Sequence, residues 1–129
     1  MRLITRILTA AATVALVGVS LPAQTPMTNR LMREKLLHAE RVLDSLMTGD
    51  HAMLQRESAA LEAATRAPGW AVLRSERYTR HSETFRRAAE DLTDAAKLRD
   101  SDGAMRAYVS MTLACYSCHR YVSDSRIAR

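Results

Sequence analysis

Between a few joints rich in glycine and proline, apolar residues recur at intervals of three and four, the period of an amphipathic helix. No alternating run of useful strand length interrupts them. The first predicted helix runs from about Thr28 to Met47, with Met32, Leu36, Ala39, Leu43 and Leu46 on one face. Thr28 or Asn29 can cap its start, and Gly49 can end it in the left-handed conformation. The second covers about Asp50 to Arg66, its apolar side marked by Leu54, Ala60, Leu61 and Ala64, before Pro68-Gly69 breaks the chain. The third extends from roughly Leu73 to Arg99. Its stripe is Tyr78, His81, Phe85, Ala88, Leu92 and Ala95, with Arg86, Arg87, Glu90 and Asp91 facing away. Lys97 and Arg99 suit the negative end of its dipole. Asp100-Ser101-Asp102-Gly103 supplies turn and capping residues. The fourth helix then runs from about Ala104 to Val122, along Tyr108, Met111, Cys115, Cys118 and Val122. Short joints turn successive helices back on one another, so the expected fold is all-α, an antiparallel up-down-up-down four-helix bundle. There is no internal repeat, low-complexity segment or second domain.

The first residues follow a different pattern. Arg2 and Arg6 precede an apolar run from Ile7 to about Val19, followed by Leu21-Pro22-Ala23. That order predicts a secretory signal peptide over residues 1–23, cleaved near Ala23. The run is shorter than the roughly 20 residues a spanning helix needs, and no cysteine lies near it to carry a lipid. The expected mature protein is periplasmic, without stable membrane insertion, and forms a single domain over residues 24–129. The chain carries a formal charge of +5, which loss of Arg2 and Arg6 reduces to +3. So small a charge argues against a nucleic-acid partner.

The only two cysteines stand together in the run CYSCH, as Cys115 and Cys118 with His119 directly after. Cys-x-x-Cys-His is the usual attachment site of a c-type haem. Two thiols three residues apart on a helix share a face and can add to the two vinyl groups on one porphyrin edge. The imidazole at 119, four residues from Cys115, projects from the same side and can reach the iron. Attachment of this kind takes place outside the cytoplasm, so the export signal and the motif support each other. Structural zinc wants four ligands, and the run offers two or three. A thiol–disulfide catalyst wants its pair at a helix N-terminus, not near a C-terminus. A plain disulfide in an oxidising compartment remains open, but it leaves His119 unexplained.

An exported chain of about four helices with CxxCH near the end of the last one resembles the cytochrome c′ class, the class II c-type cytochromes, and looks most like their low-spin, methionine-ligated members. The likeness covers nearly the whole mature chain. CxxCH speaks strongly for haem; its late position and the four-helix layout point to the class. The resemblance implies one haem c with thioethers at Cys115 and Cys118, His119 as proximal ligand, and a redox or small-gas role. One departure follows the motif: many members carry an aromatic residue three positions after the histidine, whereas here Tyr121 is two after.

Met32 is the expected distal ligand. In such a bundle the start of the first helix lies beside the end of the fourth, and Met32 sits about one turn in. Met47 lies roughly 22 Å further along, Met27 is expected to precede the helix, and Met105 and Met111 share a helix with His119. The expected function is electron transfer by a periplasmic mono-haem carrier, not an enzyme, with redox proteins as partners. Two alternatives stand beside it: a five-coordinate haem protein binding nitric oxide or carbon monoxide, and a haemless bundle stapled by a disulfide. A homodimer is open. Among other residues, His81 either lines the haem or is a hydrogen-bonded core histidine, and His38 and His51 read as surface residues. Phe85 and Tyr108 can pack on the porphyrin, Arg120 can pair with a propionate, and Trp70 is expected to plug one end of the bundle.

Overall fold

The computed structural model describes residues 26–127; the expected signal segment, residues 1–23, lies outside them. Four helices make up the described chain: α1 (Pro26–Thr48), α2 (His51–Ala64), α3 (Glu76–Lys97) and α4 (Ser101–Ile127). No strand occurs among the described residues. Contacts run α1–α2, α2–α3, α3–α4 and α4–α1 in a closed ring, with α1 and α4 touching least. That arrangement is consistent with a four-helix bundle.

Local chemistry sets the ends. α1 stops at Gly49, whose φ of +74° costs a glycine nothing, and the Asp50 amide donates back to the Ser45 carbonyl at 3.0 Å. The Asp50 carboxylate then accepts from the Met53 amide at 2.9 Å, capping α2. Ser75 caps α3 through the Tyr78 amide at 3.1 Å, which explains why α3 starts at Glu76 and not near Leu73. At its far end Arg99 takes the left-handed position, with φ +56°. Asp100 accepts from the Gly103 amide at 2.8 Å and so starts α4. Pro26 is compatible with a first helical turn because its missing N–H has no partner there. α1 therefore begins earlier than expected, and Met27 lies within it, exposed.

Phe85, Leu54, Leu61, Leu92, Met111 and Val42 are the large, fully buried centre. α3 keeps the facing expected of it: Tyr78, Phe85, Ala88 and Leu92 are buried, His81 and Ala95 are half-buried, and Ala89, Thr93 and Ala96 are buried besides. α1 does not. Leu36 and Leu43 are 60% and 41% exposed, while Thr28, Leu31, Lys35, Val42 and Ser45 are buried. Both lines satisfy helical spacing, but they differ by a one-residue rotation, about 100°. The buried line contains three polar residues, so hydrophobicity alone selects the wrong one. Ser45 is accommodated by donating to the Val42 carbonyl at 2.8 Å. Met32, Ala39 and Leu46, at the border of the two lines, are partly buried against the core. On α2, Glu57 and Ser58 are buried where only Leu54, Ala60, Leu61 and Ala64 were expected.

Candidate functional site

A cavity of about 310 Å³ lies among α1, α3, α4 and the loop after α2. Its lining includes Met32 from α1 and Cys115, Cys118 and His119 from α4, so one space unites all four residues singled out in the sequence. The volume falls at the lower end of small-molecule sites.

On α4, Cys115 and Cys118 are free thiols, each half-buried, and His119 is more exposed. Burial pushes the Cys118 thiol above its ordinary value; the Lys35 ammonium pulls it back, and neighbouring Cys115 adds to the rise. Burial lowers the His119 imidazole below its ordinary value, and the Lys35 charge lowers it further. At neutral pH the ring is therefore uncharged, the form that ligates metal. Among the described residues no three His, Cys, Asp or Glu side chains cluster as a metal site. Cys115, Cys118 and His119 are strung along one helical turn, an arrangement better matched to gripping an extended ligand than to enclosing a bare ion.

The opposite wall is aromatic. Trp70 and Phe85 stack with centroids 5.2 Å apart and planes tilted by 42°. Trp70 Nε1 donates to Ser82 Oγ at 3.1 Å, and the Tyr78 hydroxyl donates to the Trp70 carbonyl. Trp70 is thus buried in the cavity wall through its stacking on α3. The loop carrying it is tied to the start of α1, where Thr28 Oγ1 donates to the Gly69 carbonyl at 3.1 Å. Gly69 has φ +89° and lies so close that an added Cβ would sit 3.3 Å from the Thr28 amide nitrogen. Tyr108 packs against the core but outside the cavity lining.

Two polar side chains stand out in this lining. Lys35 is only 7% exposed. Its Nζ stands 4.1 Å from the Phe85 ring centroid and 4.9 Å from that of Trp70. It forms no ion pair with any described residue. Cation–π attraction to the two rings contributes about 0.5–2 kcal/mol. The second is His81, whose Nε2 is buried without a hydrogen-bond partner among the described residues. Its ring packs on Tyr121 with centroids 5.4 Å apart. Of its two expected settings, His81 adopts the cavity wall. Tyr121 shares a 2.9 Å hydrogen bond with Ser75 and carries the Arg77 guanidinium over its ring. Arg120 is exposed on a neighbouring cleft with Arg77 and Tyr116, away from the cavity itself.

The two remaining histidines are not simple surface residues. His38 Nδ1 lies 2.7 Å from a carboxylate oxygen of Glu57, whose side chain is 6% exposed. Arg56 and Arg41 approach the same carboxylate at 3.3 and 3.7 Å. Burial alone would raise the Glu57 carboxyl, but hydrogen bonds from His38 and Arg56 outweigh it and hold the group below its ordinary value. His51 Nδ1 is buried without a partner among the described residues. A sequence signal for Glu57 existed: it stands three residues after Leu54 and four before Leu61, on the apolar face.

No family model, curated protein or solved structure matches the chain. The reading of the site therefore rests on these residues and their arrangement.

Proposed function

We propose that this protein is an exported mono-haem c-type cytochrome that carries electrons, with haem c bound at Cys115 and Cys118 and iron ligated by His119 and Met32. The observation that carries this reading is the convergence of two thiols, an imidazole and a thioether, drawn from α4 and α1, on one cavity. When bound, the haem supplies a one-electron ferric–ferrous couple.

The chain's own residues have distinct tasks in this reading. Cys115 and Cys118 would each add S–H across a vinyl double bond, sulfur to one carbon and hydrogen to the other, and the resulting thioethers would fix the ligand to α4. His119, kept neutral by burial and by Lys35, offers a lone pair from the turn that holds both sulfurs. Met32 offers a soft thioether from the facing helix, a ligand that favours ferrous iron and raises the potential. Trp70 and Phe85 exclude water from the same space. The role is transfer between redox proteins in the periplasm, and the small positive charge of the mature chain suits brief encounters with acidic surfaces.

Intact-mass measurement of the protein purified after export tests the attachment. The expected mass exceeds that of the cleaved chain by roughly 616 Da, the mass of one haem. A mass without that increment, with CYSCH intact, sinks the cytochrome reading. An optical spectrum in both oxidation states tests ligation: six-coordinate, low-spin iron is expected. High-spin iron that binds carbon monoxide readily moves the function to gas binding.

A further inference from the structure

Resting on the haem reading above, the geometry points to Lys35 as the carboxylate anchor of the cavity: we propose that its ammonium pairs with a propionate of the bound haem. Lysine side chains are almost never so deeply buried unless paired. Here the ammonium stands over the faces of Phe85 and Trp70, inside the space lined by Cys115, Cys118 and His119, with no acid of the described chain in ion-pair reach. The aromatic faces attract the cation but supply no counter-charge. The charge therefore lacks a counter-ion that the cavity's occupant must bring, and haem is an anionic ligand with two carboxylates.

The alternative is that the Lys35 amine itself binds iron. Lys35 lies three residues after Met32 on the same helix, so both reach the cavity from one side. The ring faces argue against iron ligation. A cation–π contact is one that an ammonium makes, and an ammonium has no lone pair to give, whereas the Met32 thioether is a ligand without losing a proton. An ammonium beside the porphyrin also acts on the couple. It disfavours ferric iron, which carries one more positive charge than ferrous, so Lys35 raises the potential in addition to any effect of Met32.

The test uses the mature, haem-loaded protein with Lys35→Met, which keeps the length and apolar stem without the charge, and Lys35→Arg, which keeps the charge. Intact mass, optical spectrum and midpoint potential are read for both, and a crystal structure is solved for the wild type. In Lys35→Met the expected results are an unchanged haem increment, an unchanged axial-ligand spectrum and a midpoint shifted to lower potential, with Lys35→Arg restoring most of the shift. In the crystal, Nζ should lie within about 4 Å of a propionate oxygen. A spectrum that loses a nitrogen ligand in Lys35→Met, an unchanged potential, or an Nζ turned to solvent overturns the proposal while leaving the cytochrome reading intact. Should Lys35→Met fail to mature, the wild-type crystal and Lys35→Arg still decide. A wild-type mass without haem overturns both readings together.

Discussion

Met32→Ala separates two roles that a methionine in a bundle can have. The substitution removes Cγ, Sδ and Cε from a side chain that is partly buried and already faces a cavity. A fully buried methionine truncated to alanine costs about 2–5 kcal/mol. With about half of three methylene-sized groups taken out of contact, at ~0.8 kcal/mol each, the packing loss here is about 1 kcal/mol. For a domain of this size that lowers Tm by roughly 4–8 °C, a modest change that leaves the fold intact. The effect on iron is of another kind. Loss of a thioether ligand should convert a low-spin spectrum to one with water or nothing in the sixth position, open the iron to carbon monoxide, and lower the midpoint potential. Optical spectra of both oxidation states, potentiometry and thermal melts on the same preparations separate the two effects. If Met32→Ala loses stability but keeps the wild-type low-spin spectrum, Met32 is a packing residue and the ligand lies elsewhere.

Replacing both Cys115 and Cys118 with alanine should abolish covalent haem and leave a less stable bundle; haem that survives denaturation in that variant would falsify attachment at these residues. The Glu57 carboxyl is held below its ordinary value by His38 and Arg56. Its contribution to stability is therefore complete above pH of about 4.3 and is lost as pH falls through the lowered folded-state value. Urea unfolding across pH should show Glu57→Gln less stable than wild type at pH 7, with the gap closing in acid; a gap independent of pH refutes the assignment. Arg99 occupies a left-handed position at the end of α3. Arg99→Gly should raise stability by about 1 kcal/mol, read as an increase in Tm, because an L side chain is strained there.

The helices and the shared turn of the Cys-x-x-Cys-His run were legible in the sequence because both depend on local spacing. Residues 115, 118 and 119 share a helical turn whatever surrounds them, and Gly49 and Asp100 end or start helices through neighbours in the chain. The placement of Met32 on the same cavity as the motif was legible for a related reason: the order of the helices places the start of one beside the end of another. The facing of α1 was not, since its buried line holds Thr28, Lys35 and Ser45 while Leu36 and Leu43 remain outside. The contacts of Trp70 depend on how the chain after Pro68-Gly69 packs on α1 and α3, which no local pattern encodes. The facing of α1 has a physical reason. A bundle that only filled its own core would gain by placing leucine at 35, three residues from Met32, and this chain places a lysine there with no acid to meet it. His81 Nε2, buried without a hydrogen-bond partner among the described residues, and Lys35, with no acid in ion-pair reach, both line the cavity, and a polar ligand in that space would give each a partner. The departures from hydrophobic patterning therefore argue for an occupant independently of the cysteine motif, and they lie on the same cavity as that motif.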